Sequence, residues 1–404
     1  MHQILKINNI KNTCELYYLI HSLGQMKSTL ADCVHLNNLA FSALFDQPHI
    51  VGPVVQSPPV KQLVVEHVVI CCEINCIADL LRLVQQHPVV ENVEYNINMR
   101  ALHRISEPLR KLDAMIGMES LKESIVDQII YFIQDLHLNM NDSCCNGDKP
   151  DKREKGGAFN DYMHTVIYGP PGTGKTEVAQ LIGSIFSRMG VLRKSKFKKV
   201  TRSDLVAGYL GQTAIKTADV IKECLGGVLF IDEAYALGNT EKRDSFSKEC
   251  IDTLCEALSD HKSDLMVIVA GYEKDLNECF FSANPGLNSR FTWRFKIDNY
   301  TPAQLSKIYE KKVQDCGWQL HEPVRADWFE SNMCYFKCYG RDMETLLSRA
   351  KIAHGRRVFC APDSEKTRLT RADLEKGMTM FVSNEEVKQR KTESNANVPV
   401  SMYL

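Results

Sequence analysis

The chain has 404 residues and a formal net charge of −1, and 44% of its residues are hydrophobic and 25% are charged. This composition is typical of a globular protein with room for two or three domains. It excludes a global positive field that would hold nucleic acid or an anionic membrane, although a local basic patch remains compatible with it.

Cysteines and the amino terminus indicate the compartment. Fifteen cysteines without a repeating spacing favour reduced thiols in a reducing compartment over a disulfide framework or a zinc site. The first residues show no uninterrupted apolar region of a signal peptide, and no stretch reaches the roughly 20 apolar residues of a membrane helix. We therefore expect a soluble, intracellular protein without a membrane partner.

Residues 1–104 are predicted to form a separate N-terminal module. The segment 61–74, KQLVVEHVVICCEI, is rich in β-branched residues and is typical of a strand. Asn75 is expected to cap a helix with apolar residues at helical spacing, and segment 88–97 is expected to form a second strand. The module is therefore expected to be a small α/β unit, and it carries no chemical motif.

Residues 105–298 alternate between helical patterns and apolar strands. After a first amphipathic helix and a polar loop over 139–161, five strand candidates follow: 165–168, 199–201, 228–231, 265–270 and 294–297. This alternation favours an α/β fold with a parallel five-stranded sheet and helices on both faces. Residues 299–386 are mostly helical in pattern, and the polar tail 387–404 is predicted to be disordered.

The sequence GPPGTGKT, residues 169–176, lies between the first of these strands and a helix, as a phosphate-binding loop requires. Its residues are Gly169, Pro170, Pro171, Gly172, Thr173, Gly174, Lys175 and Thr176, and Glu177 follows. The glycines let backbone N–H groups surround phosphate oxygens, and the helix adds its positive amino end. We expect Lys175 to reach the β- and γ-phosphates of ATP and Thr176 to bind Mg²⁺. An accidental glycine-rich turn is the alternative.

Two carboxylates, Asp232 and Glu233, directly follow the apolar strand 228–231. The carboxyl ends of parallel strands carry the ligand chemistry of α/β sheets, so both side chains are expected near the phosphates. Asp232 suits the Mg²⁺ shell, and Glu233 suits a base that orients or activates the attacking water. A solvated strand end is the structural alternative. The pair favours ATP hydrolysis over binding alone.

Seven motifs in sequence order resemble those of the AAA+ ATPases, within the group of the red-type rubisco activases and stage V sporulation protein K. They are LDAMIGMESLKE, YGPPGTGKT, AGYLGQTAIKT, GGVLFIDEAYAL, VIVAGYEKDL, NPGLNSRF and YGRDMETLLSRA, and the resemblance covers residues 112–357. It implies a P-loop NTPase module over 105–298, a helical lid subdomain over 299–386, and a homo-oligomeric ring, expected to be a hexamer.

The resemblance also implies roles for single residues around the nucleotide. Ile116 and Gly117 lie in the loop whose backbone contacts adenine, and Arg341 opens the sensor-2 helix, which approaches the nucleotide. Tyr272 stands at the sensor-1 position, where many members have asparagine. Whether Tyr272 or a neighbour positions the attacking water is left open.

One arginine is implied to act on a neighbouring subunit. Arg290 takes the place of the arginine finger, which reaches the γ-phosphate of the adjacent site and offsets charge on the transferred group. A surface arginine after a turn is the alternative. Arg294 is a second candidate, but its position on a strand makes a structural role equally compatible.

The triplet Tyr209, Leu210 and Gly211 matches the pore loop of family members that pull polypeptides. A ring of aromatic side chains can grip an extended chain through apolar contacts that do not depend on its sequence. The resemblance therefore implies a remodeller of a protein client, which the sequence does not identify. A turn with one buried tyrosine is the structural alternative.

Two other functions compete with this interpretation. The basic cluster RKSKFKKVTR, residues 193–202, with an interleaved phenylalanine, would suit a nucleic-acid-associated ATPase of the helicase or replication-loader type. Solvated lysines before a strand are the alternative. A non-catalytic ATP switch is the third hypothesis, and the intact Lys175, Asp232, Glu233 and Arg290 argue against it.

Overall fold

The computed structural model describes residues 65–138, 161–209, 211–238 and 244–396. Leu210, residues 1–64 of the N-terminal module, most of the predicted loop 139–161 and residues 397–404 of the predicted tail therefore lie outside the described residues. Among the helices that the structure describes, none is both long enough and apolar enough to cross a membrane.

The described part of the N-terminal module is a strand–helix–strand unit, the arrangement predicted for it. Strand β1 (Glu66–Val68) pairs in parallel with β2 (Val93–Tyr95), and helix α1 (Ile77–Gln86) connects them. The buried face of α1 consists of Ile77, Leu80, Leu83 and Val84. These residues recur at helical spacing, which is why the segment folds as an amphipathic helix.

Helix α2 (Met99–Asp113) joins this unit to the rest of the chain. The side chain of Asn98 caps it by accepting a hydrogen bond from the backbone N–H of Ala101 at 3.1 Å. The apolar face of α2 packs against the helix that follows the phosphate loop. The domain boundary predicted between residues 104 and 105 is therefore corrected, because it falls inside a helix whose apolar spacing continues without a break.

Five strands form the main sheet: β3 (Thr165–Tyr168), β4 (Phe197–Val200), β5 (Val228–Ile231), β6 (Met266–Gly271) and β7 (Trp293–Lys296). Their order is β4-β5-β6-β3-β7, and every pair is parallel. The predicted strands and their parallel arrangement are confirmed. Three of the strands differ from the predicted bounds by one or two residues.

Helices cover both faces of this sheet. They are α3 (Glu119–Ile133), α4 (Lys175–Met189), α5 (Arg202–Leu205), α6 (Thr213–Cys224), α7 (Ser245–Asp260), α8 (Glu273–Asp275) and α9 (Gly286–Arg290), with a 3₁₀ turn at Ala234–Leu237 and a π-helical turn at Leu276–Phe281. Successive strand residues point to opposite faces, so Val166 and Ile167 belong to two separate buried apolar clusters. Burial on both faces explains why these strands read as continuous apolar runs.

The predicted C-terminal helical subdomain is also present. Its elements are α10 (Pro302–Asp315), β8 (Gln319–Leu320), α11 (Ala326–Ser331), α12 (Tyr339–Val358), β9 (Arg368–Leu369), α13 (Arg371–Val382) and α14 (Glu385–Ala396), with 3₁₀ turns at Met333–Tyr335 and Asp363–Glu365. Pro302 occupies the first turn of α10, and Thr301 caps it by accepting a hydrogen bond from the N–H of Gln304.

The last helix contradicts the predicted disorder after residue 386. Residues 387–396 belong to α14, where Val387 is 3% exposed and Arg390 forms an ion pair with Asp342 of α12. The segment is mostly polar, so its composition alone indicates disorder. One buried apolar side chain and one buried ion pair supply the anchors that composition does not reveal.

Candidate active site

The predicted site residues follow three strands that end at the same edge of the sheet. The phosphate loop follows β3, Asp232 and Glu233 follow β5, and Tyr272 follows β6. Because β6 lies between β3 and β5, the three segments are neighbours. The topology therefore assembles one site from parts that are far apart in sequence.

The phosphate loop folds back on itself as a compact turn. Gly172 and Gly174 have φ angles of 72° and 86°, in the left-handed region that favours glycine. Thr173 Oγ1 donates to the carbonyl oxygen of Pro170 at 2.8 Å and closes the turn. Buried or half-buried loop residues are Gly169, Pro170, Pro171, Gly172, Thr173, Gly174, Lys175 and Thr176. Such a turn directs successive N–H groups to one side, as anion binding requires.

Lys175 lies inside this turn, at the start of α4. Its Nζ donates to the carbonyl oxygens of Gly169 at 2.8 Å and Pro170 at 2.7 Å. Burial lowers the pKa of Lys175, while Asp232 and Glu233 oppose that shift. The ammonium group is therefore held by the loop in the field of the carboxylates, positioned for phosphate oxygens.

A cavity beside the loop suits the base of a nucleotide. It is lined in part by Ile116, Met118, Gly174, Glu177 and Tyr300. The Tyr300 hydroxyl donates to the carbonyl oxygen of Thr173 at 3.1 Å and so joins the cavity wall to the phosphate loop. Ile116 and Glu177, both predicted to bind the nucleotide, therefore line the same cavity beside the phosphate loop.

Gly117 shapes this cavity through its backbone. Its φ is 72°, and a Cβ there would lie 3.0 Å from the Tyr300 ring. Met118, which follows, also has a left-handed backbone with φ of 62°. The turn 116–118 therefore needs glycine at its centre to fit against the tyrosine.

The two carboxylates after β5 differ in conformation and partners. Asp232 Oδ1 accepts a hydrogen bond from the N–H of Glu233 at 3.1 Å, and its side chain is 22% exposed. Glu233 is exposed and has φ of 51°, a left-handed conformation that is costly for a residue with a side chain. Strained backbone of this kind concentrates at active sites, where it aims a side chain.

Lys199 on β4 is a site residue that sequence reasoning assigned only to the basic cluster. Its Nζ lies 2.6 Å from Asp232 Oδ2. The strand carries two adjacent lysines, Lys198 and Lys199, so no signal in the sequence alone singles out Lys199. Because β4 pairs with β5 in parallel, Lys199 and Asp232 end up at the same edge of the sheet.

Thr176 and Asp232 fit the predicted magnesium site. Thr176 is half-buried in the first turn of α4, and the Asp232 carboxylate already faces a cation, the Lys199 ammonium. Within the described ranges, no cluster of three or more His, Cys, Asp or Glu side chains could hold a metal alone. Mg²⁺ at nucleotide sites commonly takes one or two protein oxygens together with substrate phosphates and water, and its binding by Thr176 and Asp232 stays a prediction.

Tyr272 lies beside the phosphate loop. Its ring centroid is 5.9 Å from Lys175 Nζ, and its side chain is 40% exposed. Burial raises the pKa of Tyr272, and the charge of Glu233 adds to that shift. The sensor-1 position is therefore near both the lysine and the expected base, and its contact with water stays a prediction.

Arg341 reaches the site from the helical subdomain. It lies in the first turn of α12, where the N–H of Gly340 donates to the carbonyl oxygen of Gly172 at 3.0 Å. Its positive charge lowers the pKa of both Lys175 and Tyr272, after the larger effects of burial and carboxylates. Helix α12 therefore contacts the phosphate loop directly through its backbone, in agreement with its predicted approach to the nucleotide.

Arg290 is held away from this cluster by bonds within its own chain. Its Nε donates to Ser259 Oγ at 2.7 Å and its Nη1 to the carbonyl oxygen of Gly286 at 2.7 Å. Its charge also acts on His164, which precedes β3, whereas the phosphate loop follows that strand. Action on another subunit's nucleotide therefore stays a prediction.

Arg294 serves the packing of its own subunit. Its Nη1 donates to the Tyr168 hydroxyl at 2.9 Å, its Nη2 donates to Asn288 Oδ1 at 2.8 Å, and its guanidinium lies 4.7 Å from the Phe281 ring centroid. These contacts fix the guanidinium on the strand, in the structural role that was one of the two alternatives.

Tyr209 and Gly211, two of the three predicted pore residues, are exposed and lie between α5 and α6. Tyr209 is 74% exposed, and Gly211 has φ of 78° with open space around it. Leu210 lies outside the described residues. Ile215, in the first turn of α6, is 64% exposed and adds apolar surface beyond the predicted triplet. The alternative of a buried tyrosine is therefore excluded.

The basic cluster 193–202 is largely neutralised by the chain itself. Its ion pairs join Arg193 to Asp264, Lys198 to Glu223, Lys199 to Asp232 and Arg202 to Asp244. Lys194 donates to the carbonyl oxygen of Leu225 at 3.1 Å. Paired charges offer little field to a polyanion, which weakens the case for a nucleic-acid groove here.

Comparison with known proteins gives matches that agree with this geometry. The family model "ATPase family associated with various cellular activities (AAA)" matches residues 165–298. Stage V sporulation protein K of Bacillus subtilis is 36% identical over 259 residues, covering 64% of this chain and 73% of the relative. The chloroplastic ribulose bisphosphate carboxylase/oxygenase activase of Cyanidioschyzon merolae is 36% identical over 214 residues, covering 52% and 72%.

Two further matches are a viral sequence relative and a solved structure. A cfxQ-like protein of Acanthamoeba polyphaga mimivirus is 41% identical over 266 residues, covering 65% of this chain and 61% of the relative, less than two thirds of its length. The crystal structure of the FIGL-1 AAA domain in complex with ADP has a TM-score of 0.46 at 17% identity, covering 70% of this chain and 89% of that one. A TM-score below 0.5 adds nothing to the fold assignment.

Proposed function

Since this chain belongs to the AAA+ ATPases, in the group of the red-type rubisco activases and stage V sporulation protein K, we propose that it hydrolyses ATP between the subunits of a ring and remodels a protein client. One observation carries the proposal. Lys175 lies in the combined field of Asp232 and Glu233, which follow β5, and of Arg341, in the first turn of α12, so two segments distant in sequence converge on the phosphate-binding turn. A structural turn would not need this convergence.

The residues divide the chemistry among them. Lys175 neutralises the β- and γ-phosphates, and Thr176 and Asp232 hold Mg²⁺, which supplies further positive charge when bound. Glu233 orients a water and takes its proton as the oxygen attacks the γ-phosphorus and the bond to the leaving ADP breaks. The left-handed backbone of Glu233 supports this role, because strained backbone of this kind concentrates at active sites.

Arg290 completes the site of the adjacent subunit. To do so it exchanges its bonds to Ser259 and Gly286 for contacts with the γ-phosphate next door. A cation at this point accelerates phosphoryl transfer by about 10³- to 10⁵-fold in well-studied enzymes. Assembly and hydrolysis are then coupled, since a separate subunit lacks the arginine of its neighbour.

The exposed aromatic at Tyr209 supports a protein client. An extended polypeptide offers apolar side chains and backbone that an aromatic ring can grip without reading a sequence. Tyr209 and Ile215 together present such a surface on one turn and the following helix. The identity of the client does not follow from fold or motor.

Subunit mixing tests the shared site. Wild type should show ATP turnover that rises cooperatively with protein concentration, whereas Glu233→Gln and Arg290→Ala should each lose at least about 100-fold. In an equal mixture of the two variants, some interfaces pair an intact Glu233 with an intact Arg290. Random assembly makes this about one quarter of them, so up to roughly a quarter of wild-type turnover should return.

Each of the following results would contradict the proposal. Turnover that is independent of protein concentration, or that is unaffected by loss of Arg290, would exclude an active site shared between subunits. No recovery in the mixture removes action between subunits. Turnover that single-stranded DNA stimulates and that falls steeply with salt would instead favour the nucleic-acid-associated ATPase. Turnover that survives Glu233→Gln would show that Glu233 is not the catalytic base.

A further inference from the structure

The polar helix α14 carries a buried ion pair to the helix that bears Arg341. Arg390 Nη1 donates to both carboxylate oxygens of Asp342 at 3.0 Å each, and the two side chains are 12% and 5% exposed. The same guanidinium donates to the carbonyl oxygen of Tyr335 at 3.0 Å and to Glu386 at 3.1 Å. A buried carboxylate is costly without such partners, so Arg390 is part of what keeps Asp342 in place.

Asp342 in turn holds the first turn of α12. Its Oδ2 accepts a hydrogen bond from the N–H of Cys338, the residue before the helix, at 2.6 Å. Tyr339 has φ of 38°, a left-handed conformation that is costly for a residue with a side chain. Such strain persists only where surrounding contacts fix it. Here they are the Asp342 bond and the Tyr339 ring, 5.4 Å from that of Tyr300.

The far side of this turn rests on the phosphate loop. Besides the bond from Gly340 N–H to Gly172, the backbones approach so closely that a Cβ on Gly172 would lie 2.1 Å from the Cys338 carbonyl oxygen. Arg341 is the next residue of the turn. Its distance from the phosphates therefore follows the position of residues 338–341.

We propose that Arg390 is a positioning residue for the nucleotide site. It fixes Asp342, Asp342 fixes the strained turn 338–341, and the turn presents Arg341 to the phosphates. The inference rests on the proposed nucleotide binding and adds to it a residue on the last described helix. No motif of the family resemblance extends to Arg390, because the resemblance ends at residue 357.

The affinity for a fluorescent ADP analogue, measured on the full chain with Mg²⁺, tests this proposal without turnover. We expect Arg390→Ala to raise the Kd about tenfold and Arg390→Lys to recover part of that loss. Lys388→Ala is the matched control, because Lys388 is an exposed cation on the same helix. It should change the Kd less than about twofold. Thermal unfolding without nucleotide verifies that each variant is folded, and Arg390→Lys takes over the comparison if Arg390→Ala is not.

A double-mutant cycle separates positioning from general support. In the Arg341→Ala background, Arg390→Ala should change the Kd by less than about twofold, because the residue through which it acts is gone. Equal weakening in both backgrounds, or an unchanged Kd in the wild-type background, overturns the inference. A wild-type chain that does not bind the analogue refutes the proposed function itself, so the two failures are distinguishable.

Discussion

Replacing Gly172 by alanine should break the contact between the helical subdomain and the phosphate loop. The new Cβ would lie 2.1 Å from the Cys338 carbonyl oxygen and 2.9 Å from the Arg341 nitrogen. Both are backbone atoms, so no flexible side chain can give way. Real Cβ contacts stay beyond 3.0 Å, and the turn 338–341 must therefore retreat by about 0.9 Å, which stretches the bond from Gly340 to Gly172.

Two terms make up the expected cost. Alanine in the left-handed region loses about 1–2 kcal/mol. The lost backbone hydrogen bond adds about 0.5–1.5 kcal/mol. Gly190 is the matched control, since its φ is 89° and a methyl group added to it would meet nothing within 4 Å. Gly190→Ala should therefore show the first term alone, and the difference between the variants isolates the contact.

Urea unfolding without nucleotide and titration with a fluorescent ADP analogue provide the two measurements. We expect both variants to lose stability, Gly172→Ala by the larger amount. Affinity should fall at least about tenfold in Gly172→Ala, equivalent to about 1.4 kcal/mol, and stay within about twofold of wild type in Gly190→Ala. Equal affinities for Gly172→Ala and wild type would refute the idea that this contact shapes the nucleotide site.

The remaining predictions concern charge. Lys199→Met should free Asp232 and lower the Mg²⁺ concentration for half-maximal turnover by up to about fivefold. Lys198 lies on the same strand but pairs with Glu223 of α6, so Lys198→Met should leave that Mg²⁺ concentration unchanged. An unaltered Mg²⁺ dependence in both would contradict competition at Asp232. Burial lowers the pKa of His164 from 6.5 to about 4, so the unfolded chain binds a proton that the native chain refuses. About 3 kcal/mol of the free energy of unfolding therefore depends on a neutral His164. This stability is fully present above pH 6.5 and is lost as the pH falls towards 4. Urea unfolding between pH 7 and 4.5 should show this slope in wild type and a flatter one in a folded His164→Gln variant.

The parts of the site that are local in sequence are predictable from it. The glycines and Lys175 of the phosphate loop are contiguous, and the strand before Asp232 is recognisable because burial on both faces leaves it wholly apolar. Parallel order then brings the loops after β3, β5 and β6 together without further information. These features depend on residues that are close together in the sequence, and a sequence pattern can detect interactions over that range.

Contacts between distant residues are the parts that pattern reading missed. Lys199 meets Asp232 only because β4 and β5 are neighbours, and Arg390 meets Asp342 across 48 residues. Neither partner changes the local hydrophobic spacing. The helix α14 is the clearest case, since its polar composition favours disorder, whereas its anchors are the buried Val387 and the ion pair from Arg390 to Asp342.

The left-handed backbone at Glu233 has a consequence for how this molecule can evolve or be engineered. Glycine would adopt φ of 51° at no steric cost, so Glu233→Gly would relieve about 1 kcal/mol of strain while deleting the carboxylate. Under the proposed hydrolysis, stability and turnover therefore favour different residues at this one position. Selection for heat resistance alone would then favour glycine, whereas selection for the proposed reaction would retain the glutamate.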